Sequence, residues 1–418
     1  MNNLKRKRFS LTPALPSLIS ILIGLLAGII VIVIADSSKA LLAVRNLLLG
    51  PLYGIYNPNQ SSLTGIGNML FFMIPLLMTG LSVGFAFKTG LFNIGASGQF
   101  MADSYVAILL ARKLTGIPNS WRWLVALAGA ALAGMLLASI AGILKAFRNV
   151  NEVITSIMLN YTSMYLVNHL IRATGLYDPL KNRTLPVQTE IPKFGLDKLF
   201  PKSFVSGGIL IAIVIAIICY VLLYKTTFGF ELRAVGLNRH ASRYAGINEK
   251  RSIIMSMALA GLFAGMAGGM IHLAGVGRAI QVRDVLPPEG FDGIAVALLG
   301  LNHPLGIIFA SLFMAYLKVG GQTIQTLGFA PEIINMMIGI ILYVSAMAVL
   351  IRKLLSIRAK KQSETKALGN SDGELYAVHD PPDPGATAAA EKLPPESEDS
   401  TNMAISAVQE EIEEDKHG

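Results

Sequence analysis

Apolar residues in this chain come in blocks of about twenty, the length that an α-helix needs to cross the hydrocarbon core of a bilayer. Ten such stretches can be drawn, at 14–35, 67–87, 91–110, 124–144, 153–171, 205–224, 253–274, 285–301, 305–327 and 333–351. Lipid offers no hydrogen bonds, so each block has to satisfy its own backbone, and helices do that within one segment. The predicted fold class is therefore all-α, a polytopic membrane protein with about ten transmembrane helices. Composition agrees: only 15% of the 418 residues are charged, whereas a soluble domain carries about 25%. Pro287-Pro288, Pro304 and Gly320-Gly321 interrupt the eighth and ninth stretches, whose bounds are the least defined. A single cysteine, Cys219, leaves no disulfide framework and no cysteine-based metal site.

The net charge of +9 conceals a division. Residues 1–361 hold 32 Lys and Arg against 12 Asp and Glu, a balance of +20, while residues 362–418 hold 3 against 14, a balance of −11. Basic residues sit at the edges of apolar blocks, as membrane topology requires, and form no patch suited to nucleic acid. Lys5-Arg6-Lys7-Arg8 precedes an apolar run too long for a signal peptide and not followed by a clean cleavage site, so that run is expected to remain as a helix. With residues 1–13 placed in the cytoplasm, the cytoplasmic connections carry 18 basic residues and the outer ones 13, six of these in the long loop 172–203. That bias predicts both termini inside, in agreement with an even number of spans. The permease body is expected over 14–355. The segment 356–418, with two Pro-Pro pairs, an Ala run and an acidic stretch at 410–415, is expected to be a disordered cytoplasmic tail.

Small residues at four-residue spacing predict close helix packing. They are Ala126, Ala130, Gly134, Ala138 and Gly142 in the fourth stretch, Gly261, Gly265 and Gly269 in the seventh, and Gly80 and Gly84 in the second. There is also an internal echo. Gly90-Leu91-Phe92-Asn93 before the third stretch resembles Glu289-Gly290-Phe291-Asp292 before the eighth, and Asn151-Glu152-Val153-Ile154 resembles Pro331-Glu332-Ile333-Ile334. Two five-helix halves related in this way have opposite orientation, because five is odd, and transporters build central sites at the interface of such halves.

No phosphate-binding Gly-x-x-x-x-Gly-Lys-Ser/Thr loop occurs, nor a His-Glu-x-x-His or Gly-x-Ser-x-Gly motif, and the six histidines are scattered. Neither an enzyme active site nor a metal or cofactor site is visible. In the loop 225–251, Asn238 is a good helix N-cap and Gly246 a good C-terminal stop, which predicts a short helix over 239–245. That helix carries Ala241, Tyr244 and Ala245 on one side and Arg239 and Arg243 on another. It could anchor the loop at a bilayer surface or dock into a partner.

Four segments resemble the permease subunits of bacterial ATP-binding-cassette importers of the simple-sugar and ribose class, in particular the nucleoside branch. They are Gly90-Leu-Phe-Asn-Ile-Gly-Ala-Ser-Gly-Gln-Phe100, Asn151-Glu-Val-Ile-Thr-Ser-Ile-Met-Leu-Asn-Tyr161, Gly229-Phe-Glu-Leu-Arg-Ala-Val-Gly-Leu-Asn238 through Ala245-Gly-Ile247, and Glu289-Gly-Phe-Asp-Gly-Ile-Ala-Val-Ala-Leu-Leu-Gly300 followed by Pro304-Leu-Gly306. The resemblance implies cytoplasmic ATPase subunits, a second permease subunit and an extracytoplasmic substrate-binding lipoprotein as partners. It also implies that 229–247 holds a coupling helix, shaped by Arg233, Asn238 and Gly246, with Ala241 and Tyr244 reaching into the ATPase.

Polar groups inside or beside the apolar blocks mark where a path could run: Asn93, Gln99, Asp103, Asn160, Glu289, Asp292, Lys318, Gln322 and Gln325. A charge at mid-membrane costs roughly 2.5–3.5 kcal/mol on insertion scales, so such groups pair or line a pathway. A nucleoside wants amide or carboxylate partners beside an aromatic face. Asn93 with Phe92, Gln99 with Phe100 and Asp292 with Phe291 offer that pairing, and Gln322 and Gln325 could add a third wall. Ribose or another simple sugar is the alternative cargo. An ion-driven transporter using Asp103 or Asp292 is the alternative mechanism.

Overall fold

The computed structural model describes residues 15–55 and 62–346. The basic segment 1–13, the end of the tenth predicted stretch and the acidic tail lie outside the described residues. The described chain is all-α apart from a two-stranded ribbon, β1 (Tyr177–Asp178) and β2 (Arg183–Thr184), with Tyr177 opposite Thr184. The helices are α1 (Leu15–Ala35), α2 (Ala40–Leu49), α3 (Ser62–Lys88), α4 (Ala96–Lys113), α5 (Asn119–Arg148), α6 (Glu152–Ala173), α7 (Leu196–Leu199), α8 (Gly208–Lys225), α9 (Thr227–Leu237), α10 (Arg239–Tyr244), α11 (Glu249–His272), α12 (Pro288–Leu299), α13 (Pro304–Gln325) and α14 (Pro331–Ala346). Among the described residues, α3, α5, α8, α11 and α13 are long and apolar enough to cross a membrane. The protein is an all-α, multi-pass membrane protein.

Where the helices differ from the predicted stretches, local chemistry explains it. The third stretch starts as a helix at Ala96 and not at 91, since Gly90 sits at φ 75° and 91–95 runs non-helically. The eighth shrinks to the 12 residues of α12 because proline closes the helix from behind: Pro288 takes the first position, where its missing N–H costs nothing. Besides the four-residue α7, two helices went unpredicted. One is α2 with the 3-10 turn that follows it (Gly50–Ile55). The other is α9, so the loop 225–251 holds two helices and not one.

The centre of the bundle is α3 and α11. Over their most apolar windows they are 83% and 72% buried, against 33% for α8, whose Val214, Ile217, Ile218 and Val221 stay exposed. So apolar an outer surface suits lipid or a partner protein and not water. α3 packs against α11, α12 and α13, and α11 packs against α3, α4 and α5. Exchange the first five predicted spans with the second five, and one set of neighbours becomes the other.

The predicted small-residue row of α5 lies on its buried face, with Ala126, Ala130, Gly134, Ala138 and Gly142 turned inward. A Cβ on Gly134 would strike the Gly261 carbonyl oxygen of α11, and one on Gly261 would strike that of Gly134. Backbone-to-backbone contact of this kind replaces the hydrophobic effect, which does not drive helices together in lipid.

Candidate functional site

After Lys88 the chain turns back. Leu91 N–H donates to the Ala86 carbonyl at 2.9 Å, and Asn93 reaches Ser82, two turns up α3, at 2.9 Å. The segment 89–95 thus climbs beside α3 before α4 begins, leaving the N-terminus of α4 inside the bundle. Such an end exposes unpaired N–H groups. Asn160 of α6 answers one: its Oδ1 accepts from Gly98 N–H at 2.8 Å, while its Nδ2 donates to the Ile94 carbonyl at 3.1 Å.

The second break mirrors the first. From His272 the chain runs non-helically to Pro287; Thr184 N–H donates to the Ile280 carbonyl and Val282 N–H to that of Asn182. Then α12 starts. The two breaks meet: the Ser97 hydroxyl donates to the Pro287 carbonyl at 2.5 Å, and a Cβ on Gly290 would collide with the Ser97 backbone. The 18-residue α4 and the 12-residue α12 therefore bring their N-terminal, positively polarised ends together.

Beside this junction lies a cleft of about 210 Å³, with Phe72 and Pro75 on one wall and Arg278, Glu289, Gln322 and Gln325 on the others. A second cavity of about 370 Å³, reaching Phe100, Ser104 and His272, shares Arg278 and Glu289 with it. Arg278 lies 3.6 Å from Glu289 and over the rings of Phe71 and Phe72, at 5.4 and 5.6 Å. Lys318 meets Asp292 at 2.6 Å, and both side chains keep about a quarter or less of their surface, 24% and 21%. Polar and charged groups here face open space next to aromatic rings, an arrangement suited to a small polar molecule with a flat apolar face.

The predicted residues separate accordingly. Gln322 and Gln325 line the smaller cleft and Phe100 the larger cavity. Asn93 and Gln99 are buried and spend their amides on each other, Nδ2 to Oε1 at 2.9 Å and Nε2 to Oδ1 at 3.0 Å. Phe92 stacks on Phe87 at 4.7 Å, Asp292 is taken by Lys318, and Phe291 is 42% exposed and lines neither cavity. Asp103 lies at the α4–α5–α11 crossing, fully buried, with no hydrogen-bond partner for either oxygen. Sequence reasoning missed Arg278. The available signal was an isolated arginine in the polar run before Pro287-Pro288.

At the other end of α3, α8 hands over to α9, where Thr226 caps with its hydroxyl on Gly229 N–H at 3.0 Å. As predicted, Asn238 caps α10, its Oδ1 accepting from Ala241 N–H at 3.0 Å, and Gly246 ends it at φ 81°. Arg233 stacks over Tyr224 at 4.9 Å and so holds α9 on α8. Ala241 and Ala245 line an apolar groove of about 370 Å³ together with Phe230, Leu237 and Ile247. Tyr244 stands outside the groove, 94% exposed. The helix pair thus presents both a projecting ring and a groove, where the sequence suggested a projection alone. α9 also touches the first break: a Cβ on Gly90 would lie 2.5 Å from the Gly236 Cα.

The family of the branched-chain amino acid transport system / permease component matches residues 65–346. The chain is 35% identical over 354 residues to the guanosine ABC transporter permease protein NupP of Bacillus subtilis, covering 84% of this chain and 98% of that one. It is 34% identical over 377 residues to the nucleoside ABC transporter permease protein NupB of Lactococcus lactis, covering 88% and 99%. A glucose ABC transporter permease protein of Haloferax volcanii is 32% identical over 283 residues, 65% of this chain and 73% of its own. No solved structure matches. A broken-helix bundle matched over two-thirds of its length, this chain belongs to that family of transport-system permease components.

Proposed function

We propose that the chain is the membrane-spanning permease of an ATP-binding-cassette importer and carries nucleosides into the cell. It is a transport subunit and not an enzyme; ATP is hydrolysed on separate cytoplasmic subunits that dock on α9–α10. A second permease chain and an extracytoplasmic substrate-binding lipoprotein complete the system. The body, 14–355, crosses the cell membrane ten times as two inverted five-helix halves. Both termini are cytoplasmic.

One observation carries this reading. The docking element rests on the first break, Gly236 against Gly90, and the first break meets the second, Ser97 against Pro287 and Gly290. A push on α10 is thereby led through α9 and 89–95 to the joined N-termini of α4 and α12, beside the polar clefts. That is a route for work done elsewhere to reach a cargo path, and it favours a chain driven from outside itself. Two-state movement of such a linkage opens the path alternately to either side. A nucleoside finds amides at Gln322 and Gln325, the Arg278–Glu289 pair for its hydroxyls, and Phe72 for its base. Nucleosides stand ahead of simple sugars because the nucleoside permeases match 84–88% of this chain and the glucose permease 65%.

The test is uptake of labelled guanosine by cells expressing the chain with its co-encoded subunits. Uptake should stop when ATP is depleted and persist when the proton gradient is collapsed. The opposite pattern would assign the work to an ion gradient acting through Asp103 or Asp292.

A further inference from the structure

Where α3, α8, α9 and the α12–α13 turn converge, basic groups gather without a carboxylate. Lys88 closes α3 and forms no ion pair or hydrogen bond among the described residues. Arg233 donates its Nε to the Gly229 carbonyl at 3.4 Å and finds no acceptor among the described residues for its terminal nitrogens. His303 stacks against Tyr224 at 5.1 Å and Tyr220 at 5.6 Å. Lys88 is near enough to act electrostatically on both Arg233 and His303. The acids of these elements look elsewhere. Glu231 lies two residues from Arg233, about 200° around α9, and is exposed. Glu289 and Asp292, at the far end of α12, are held by Arg278 and Lys318. Gathering the Lys88 and Arg233 charges in a half-buried corner is unfavourable unless an anion joins them.

The surroundings indicate which anion. α8 and α13 pack against each other at this corner, and their outward residues, Ile217 and Val221 on one and Leu305 and Phe309 on the other, are exposed and apolar. These pairs, each one turn apart, form tracks leading away from the cluster into the lipid phase. A soluble anion has no use for them. We infer that Lys88, Arg233 and His303 bind the phosphate of an anionic phospholipid whose acyl chains lie along the α8–α13 seam. Basic pockets between helices near the cytoplasmic surface hold lipid headgroups in this way. The cytoplasmic placement rests on the proposed orientation; the site itself does not. Bound there, the lipid touches the root of α9 and steadies the element that receives the ATPase.

The full-length chain, purified in a neutral detergent, is titrated with phosphatidylglycerol or phosphatidylcholine, and bound lipid is counted by native mass spectrometry. This assay has no sidedness and needs no transport, so its failure is distinct from failure of the importer reading. One phosphatidylglycerol should be retained selectively. Lys88→Gln should weaken retention about fivefold, and Lys88→Arg should restore it. His303→Gln supplies a second, independent loss. Equal retention by wild type and both Gln variants, or equal retention of phosphatidylcholine, would overturn the site. Displacement by inorganic phosphate alone would reassign it to a free anion, and displacement by a synthetic peptide of residues 401–418 would reassign it to the chain's own tail.

Discussion

Asn93 and Gln99 exchange both of their amide hydrogen bonds inside the bundle, and Asn93 also donates to Ser82. Gln99→Leu leaves the Asn93 carbonyl oxygen buried with no donor, which should destabilise the folded chain by about 1–3 kcal/mol. Replacing both by Leu should cost less than the two single changes together; thermal unfolding in detergent reads the difference, and simple additivity would mean the amides act separately. His303 supplies a second residue-level test. Burial, and then the positive charge of Lys88, hold its imidazole below the usual histidine range. The folded chain therefore binds fewer protons than the unfolded one below about pH 6.5, so the stability this group contributes is present above that pH and lost as pH falls. In lipid-free detergent, the Tm advantage of wild type over His303→Gln should shrink between about pH 7.5 and 5. A constant difference would show that the ring is solvated. At this scale the sequence was partly legible. Polar residue types announce that a partner is needed, yet nothing in Asn93 or Gln99 alone says that the partner is the other and not a cargo.

Helix ends were the most readable elements. Asn238 and Gly246 bound α10 because capping is local chemistry, set by one side-chain oxygen and one backbone angle. α9 was hidden by its own glycines, which look like turn residues along the chain. Gly229 is required instead because a Cβ there would strike the Leu222 carbonyl, and Gly236 because it lies against Thr89 and Gly90. Hydropathy likewise merged 285–301 into a single span, since it weighs side chains and not the proline at the start of α12. Two predictions belong here. Ala241→Glu puts a charge in the apolar groove and should abolish transport and substrate-stimulated ATP hydrolysis while membrane insertion stays normal; transport at the wild-type rate would detach α10 from the ATPase. Gly290→Ala forces apart the ends of α4 and α12, and should suppress uptake more than it lowers the amount of protein in the membrane. If uptake fell only in step with that amount, the junction would be packing and no more.

Across the whole molecule, the sequence carried the inverted echo only as two short resemblances. The packing adds one exchange of neighbours, α3 meeting α11, α12 and α13 while α11 meets α3, α4 and α5. Periodicity along a chain reports which face is apolar, not which helix meets it, so this level was not legible in advance. It bears directly on topology. Between Tyr244 and Gln325 lie α11, the broken segment 273–299 and α13, which amount to three crossings if the broken segment completes its passage. Cys219 is the chain's single cysteine and is buried in α8, so new cysteines can be labelled against a silent background. Both test positions are exposed. In intact cells a membrane-impermeant maleimide should modify Gln325→Cys but reach Tyr244→Cys only after permeabilisation. Substrate should protect the first, which lines the cleft, and leave the second unaffected. Labelling of both from one side would mean that 273–299 folds back without crossing, and with it the inverted pairing of the halves would fall.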